Sequence, residues 1–65
     1  MKNMKGIYMF YTPREVGDIL KVNYRKILDL IILGQLSAIR VGRQYRIPES
    51  ELEEYLEKQK YKVHS

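Results

Sequence analysis

Thr12 to Pro48, TPREVGDILKVNYRKILDLIILGQLSAIRVGRQYRIP, is the stretch whose reading decides the fold. It reads as two short helices joined by a tight turn, followed at once by a small β-hairpin. Thr12 is a good helix N-cap, Pro13 suits the first helical position, and Glu15 completes a Thr-x-x-Glu capping box. Val16, Ile19 and Leu20 then recur at i, i+3, i+4 and form the expected buried face of the first helix. Gly17 inside so short a helix costs about 1 kcal/mol against alanine. Close approach of another backbone, as at a helix crossing, is the reason to keep it. Lys21-Val22-Asn23 is the turn. Asn23 is an N-cap for a second helix from Tyr24 to about Leu33, and Val22 with Ile27 has the spacing of a hydrophobic staple. Gly34 is suited to the left-handed cap that ends it. Ile27, Leu30 and Ile31 are its core face.

Working outward, Leu36 to Val41 is a first wing strand and Tyr45 to Ile47 a second. Gly42-Arg43 between them has the Gly-X pattern of a type II′ hairpin. Pro48 and Glu49 open a third helix, with Ser50-x-x-Glu53 as a second capping box and Leu52, Tyr55 and Leu56 as the face that closes the core. Tyr8 to Tyr11 is an extended piece lying against the core edge. The fold expected is α+β, mainly α: a winged helix-turn-helix of two helices, a β-hairpin wing and a closing C-terminal helix. It occupies residues 8–58, with a frayed stretch over 1–7 and a solvated tail over 59–65. The initiating Met1 and the lysine-rich end suggest a complete small protein.

Composition bounds the chemistry. Sixty-five residues make one domain, and a chain of that size buries only about 60% of its unfolded surface. There is no cysteine, so disulfides and thiolate metal sites are excluded, and the one histidine, His64, lies in the tail. No cofactor is expected. Nothing in the sequence pairs a nucleophile with a base or forms a glycine-rich phosphate loop, so an enzyme is not expected either. No run approaches the roughly 20 apolar residues of a membrane span, and Ile7 to Tyr11 lacks a signal-peptide cleavage site. A cytoplasmic protein with no membrane partner follows.

The net charge of +4 is unevenly spread. Arg14, Lys21, Arg25, Lys26, Arg40, Arg43 and Arg46 dominate the helix-turn-helix and wing, whereas Glu49, Glu51, Glu53, Glu54 and Glu57 dominate the third helix. A polyanion is drawn to the first part and repelled by the second. In a helix-turn-helix the start of the second helix enters the major groove of DNA. That makes Arg25 and Lys26 candidates for base or phosphate contact and Tyr24 a phosphate donor or stacking residue. Arg40, Arg43 and Arg46 cluster in the wing and are candidates for phosphate contact. Asp29 repels phosphate and is expected to pair with Arg25 four residues earlier.

The segments TPREVGDIL, KVNYRKILDLI and GQLSAIRVGRQYRIPESELEEYL together resemble the excisionase-like helix-turn-helix family, related to the DNA-binding head of MerR-type regulators. The likeness covers about Tyr11 to Leu56. Its most specific parts are Thr12-x-x-Glu15-Val16, Gly34-x-Leu36 and the wing Arg40-Val41-Gly42-Arg43-x-Tyr45-Arg46-Ile47. The resemblance implies a small non-catalytic domain that binds double-stranded DNA through its second helix, at Tyr24, Arg25 and Lys26, and its wing, at Arg40, Arg43 and Arg46. It implies a recombination directionality factor or a small transcription regulator. The chain departs from the family pattern at Lys26, Leu28, Asp29 and Ile32. Leu28, Ile32 and Leu33 are apolar beyond the core set, which leaves two readings open: an extended core, or a patch for self-association on DNA or for a protein partner. A protein-interaction module reusing the fold is the alternative function.

Overall fold

A computed structural model of the chain describes residues 9–60. The elements run β1 (Phe10–Tyr11), α1 (Pro13–Leu20), α2 (Tyr24–Ile32), β2 (Ile39–Val41), β3 (Gln44–Pro48) and α3 (Glu49–Gln59). This is the small, mainly helical winged helix-turn-helix that the sequence led us to expect. Of the frayed stretch expected over 1–7, the extended piece over 8–11 and the solvated tail over 59–65, residues 1–8 and 61–65, His64 with them, lie outside the described residues, while α3 runs on through Gln59.

Local chemistry explains the helix ends. The Thr12 hydroxyl accepts from the Glu15 N–H at 3.0 Å, and the Glu15 carboxylate accepts from the Thr12 N–H at 2.9 Å, closing the capping box. Asn23 Oδ1 accepts from the Arg25 N–H at 2.8 Å and starts α2. Both helices stop in the same way. At the end of α2 the Gln35 N–H reaches the Leu30 carbonyl at 2.8 Å and the Gly34 N–H reaches Ile31 at 3.0 Å, with Gly34 at φ 79°. At the end of α1 the Val22 N–H reaches Gly17 at 2.9 Å and the Lys21 N–H reaches Asp18 at 3.3 Å. Here the left-handed residue is Lys21, at φ 62° and ψ 41°, a conformation costly for a residue with a Cβ. The two helices pack through Gly17. A Cβ built there stands 2.8 Å from the Val22 carbonyl oxygen and 3.3 Å from the Tyr24 backbone, which is the close approach expected at this position.

The hairpin is turned by Gly42, at φ 64°, while Arg43 is not in the positive-φ region. That combination excludes the type I′ turn and agrees with type II′. Ile39 pairs with Arg46, Arg40 with Tyr45 and Val41 with Gln44. Strand β2 is shorter than Leu36 to Val41, because Leu36 leaves the strand path to fill the core. The extended piece at the N-terminus does more than lie on the core. Phe10 pairs with Pro48 and Tyr11 with Ile47, making a three-stranded antiparallel sheet in the order β1-β3-β2.

Val16, Ile27, Leu30, Leu36, Ile47 and Leu52 form the core, with Tyr11, Leu20, Ile31, Ala38 and Tyr55 packed around it. Several expectations are corrected. Ile19, Val22 and Leu56 remain 48%, 42% and 39% exposed, because so thin a core covers only the middle of each apolar stripe. The Ser50-x-x-Glu53 box does not form. Strand β3 passes into α3 at Pro48 without a side-chain cap, and the Glu49 N–H is taken by the Met9 carbonyl at 2.9 Å. Arg25 and Asp29 make no ion pair. The ion pairs among the described residues are Lys58–Glu54 and Lys60–Glu57, both on α3. An exposed pair of this kind is worth only about 0.2–0.5 kcal/mol, too little to hold two long side chains together.

Candidate nucleic-acid interface

The turn between α1 and α2 brings the first turns of both helices side by side, and the wing faces them across a groove. Arg14, in the first turn of α1, lays its guanidinium 4.0 Å from the ring centre of Tyr24, which opens α2. Leu28 follows Tyr24 by one helical turn on the same wall. Arg43, Tyr45 and Arg46 line the wing side. Three guanidinium groups therefore border one groove, and no carboxylate side chain lines it.

The candidate residues differ in how they are held. Arg46 is fixed by its own strand: Nη1 donates to the Tyr45 carbonyl at 2.9 Å and Nη2 to Gln44 Oε1 at 2.6 Å. Arg40 lies 5.3 Å over the ring of its cross-strand partner Tyr45 and donates from Nε to the Gly42 carbonyl at 3.3 Å. Arg43, at the tip, is exposed and makes no side-chain hydrogen bond or ion pair. Arg25 projects from the exposed face of α2. Lys26 lies on the far flank of α2 from the groove, beside Asp29 and Leu33. Of the six candidates the groove gathers Tyr24, Arg43 and Arg46, leaving Arg25, Lys26 and Arg40 outside its lining. Arg14, Leu28 and Tyr45 join them; Arg14 and Tyr45 were not singled out as binding residues from sequence, and Leu28 was read only as extended core or as part of a patch for self-association or a protein partner. Arg14 had a signal: it sits inside the capping box, and the first turns of the two helices in such a motif lie close together.

The apolar set expected on α2 divides in the same way. Leu28 is half-buried in the basic groove, while Ile32 and Leu33 are 70% and 69% exposed beyond it. Among the described residues no group of three or more His, Cys, Asp or Glu could hold a metal ion, and no helix is long and apolar enough to cross a membrane.

Comparison with known proteins agrees with this architecture. The chain is 49% identical over 45 residues to the uncharacterized protein YvgK of Bacillus subtilis (strain 168). That match takes in 69% of this chain but only 15% of the relative, so the chain spans a small part of the longer protein it resembles. No solved structure matches it with comparable significance. The family model described as a helix-turn-helix domain matches residues 10–60, from β1 through the end of α3. The chain belongs to that helix-turn-helix family, a family of excisionase-like small DNA-binding domains.

Proposed function

We propose that the protein is a sequence-preferring DNA-binding factor that places α2 in the major groove and sets its wing on the phosphate backbone or minor groove. The observation that carries this reading is the groove bordered by Arg14, Arg43 and Arg46, without a carboxylate, beside the exposed first turn of α2. In this reading Arg25 and Tyr24 meet base edges and the adjacent phosphate, Lys26 meets phosphate from the far flank, and Arg43 grips the backbone from the wing tip. Arg40 and Arg46 are pre-ordered by the wing and present fixed charge. The finer role we infer is recombination directionality or transcription regulation. A permuted-site gel assay separates them: a strong bend supports the first, and unbent half-sites about 34 Å apart support a dimeric regulator. The cytoplasmic location expected from the sequence belongs to the same proposal.

The test is fluorescence anisotropy with a random-sequence duplex over a range of salt. With about five phosphates neutralised, log K falls against log[salt] with a slope of about −4.5. Arg25→Ala and Arg43→Ala each weaken binding. Absence of binding at about 50 mM salt overturns the reading. A second reading, a protein-interaction module, draws on the exposure of Ile32 and Leu33. It requires a partner bound with little salt dependence and lost on Ile32→Asp.

A further inference from the structure

The basic groove has an apolar wall. Leu28 is half-buried there in the free protein, one turn beyond Tyr24 and facing the arginines of the wing. Its helical position sets it three residues after Arg25, on the side of α2 that turns toward the wing. Ile32 and Leu33, although more exposed, have no such surroundings.

The two kinds of lining constrain the ligand together. Three guanidinium groups without a carboxylate select a polyanion. A leucine among them gains further burial if that polyanion also offers an apolar group. The phosphates and sugars of duplex DNA and most of its base edges are polar. The thymine C5-methyl group is the apolar feature that the major groove presents. Resting on the DNA-binding reading above, we propose that Leu28 is a specificity-determining residue that packs on a thymine methyl in the major groove. The groove arginines hold the neighbouring backbone, and the leucine favours thymine over cytosine at one base pair.

The experiment uses the full chain. A preferred duplex is selected from a random pool, and each thymine in it is replaced singly by uracil, which removes only the methyl group. Binding is measured for the wild type, Leu28→Ala, Leu28→Gln and Leu33→Ala. The wild type loses about fourfold in affinity at one thymine, the value of one buried methyl group. Both Leu28 variants bind thymine and uracil duplexes alike, while Leu33→Ala keeps the discrimination. Leu28→Gln keeps an aliphatic stem and most of the side-chain volume at this half-exposed position, so the comparison survives if the cavity left by alanine prevents folding. The inference is overturned if no uracil replacement weakens the wild type, or if the discrimination persists in the Leu28 variants. Either result leaves DNA binding intact. Failure to bind any duplex at about 50 mM salt removes both readings.

Discussion

Gly17→Ala tests the geometry on which the helix-turn-helix rests. Elsewhere in a helix this change gains about 1 kcal/mol from helix propensity. Here the new methyl group lands 2.8 Å from the Val22 carbonyl oxygen and 3.3 Å from the Cα and N atoms of Tyr24. These are backbone atoms at the end of one helix and the start of the next, and the Val22 N–H is itself bound to the Gly17 carbonyl. No flexible side chain can move aside. Overpacking of this kind costs about 1–3 kcal/mol, and backbone obstruction puts it at the upper end. Subtracting the propensity gain leaves a net loss of about 2 kcal/mol. For a chain of this length total stability is roughly 3–10 kcal/mol, so the change consumes a sizeable share. The melting temperature should fall by about 8–16 °C. Urea and thermal unfolding followed by circular dichroism measure it, with an unchanged urea slope showing that stability alone has moved. A variant that melts at or above the wild-type temperature would refute the argument, because it would show that the turn backs away at little cost.

Lys21→Gly should act in the opposite direction: relief of a left-handed residue returns about 1–2 kcal/mol, glycine's chain entropy takes back about 0.5–1, and thermal melts should rise by a few degrees. Thr12→Ala removes one half of the capping box and should destabilise by about 1 kcal/mol in the same melts. Arg14→Lys keeps the charge but removes the planar group stacked on Tyr24. DNA affinity should then fall about two- to fivefold with the salt slope unchanged, as anisotropy titrations can show.

The features legible in the sequence were those written in neighbouring residues. Thr12 with Glu15, Asn23, Gly34 and Gly42 each mark an end or a turn through contacts within a few positions, and each acts in the structure as its chemistry suggests. What could not be read depends on partners remote in the chain. Two residues of β1 carry no periodicity, and their pairing with β3 exists only because the folded hairpin offers an edge. The Ser50-x-x-Glu53 pattern is a sound helix signal that loses because Met9 supplies an acceptor for the Glu49 N–H. Lys21 occupies a conformation that its side chain argues against, imposed by the need to turn between two packed helices. In the candidate site, the sequence left open whether Leu28, Ile32 and Leu33 extend the core or form a surface patch, and the thin core leaves Ile32 and Leu33 exposed. Only the position of the wing separates Leu28, in the groove, from the other two. Arg14 was missed for the same reason, since its contact with Tyr24 crosses the turn.

The sheet order β1-β3-β2 also fixes a sequence of events during synthesis. Strand β1 leaves the ribosome first, yet its partner follows only after both helices of the motif and the outer wing strand. The helix pair rests on contacts local in sequence and can be complete while β1 still waits; non-local strand pairing is the slower kind. Until β1 arrives, β3 shows a bare edge able to recruit a strand from another nascent chain, and the Glu49 N–H lacks its acceptor. A polypeptide fused immediately ahead of β1 would hang from a strand whose partner is still to be made. One fused beyond α3 would trail from a helix and leave that pairing unhindered.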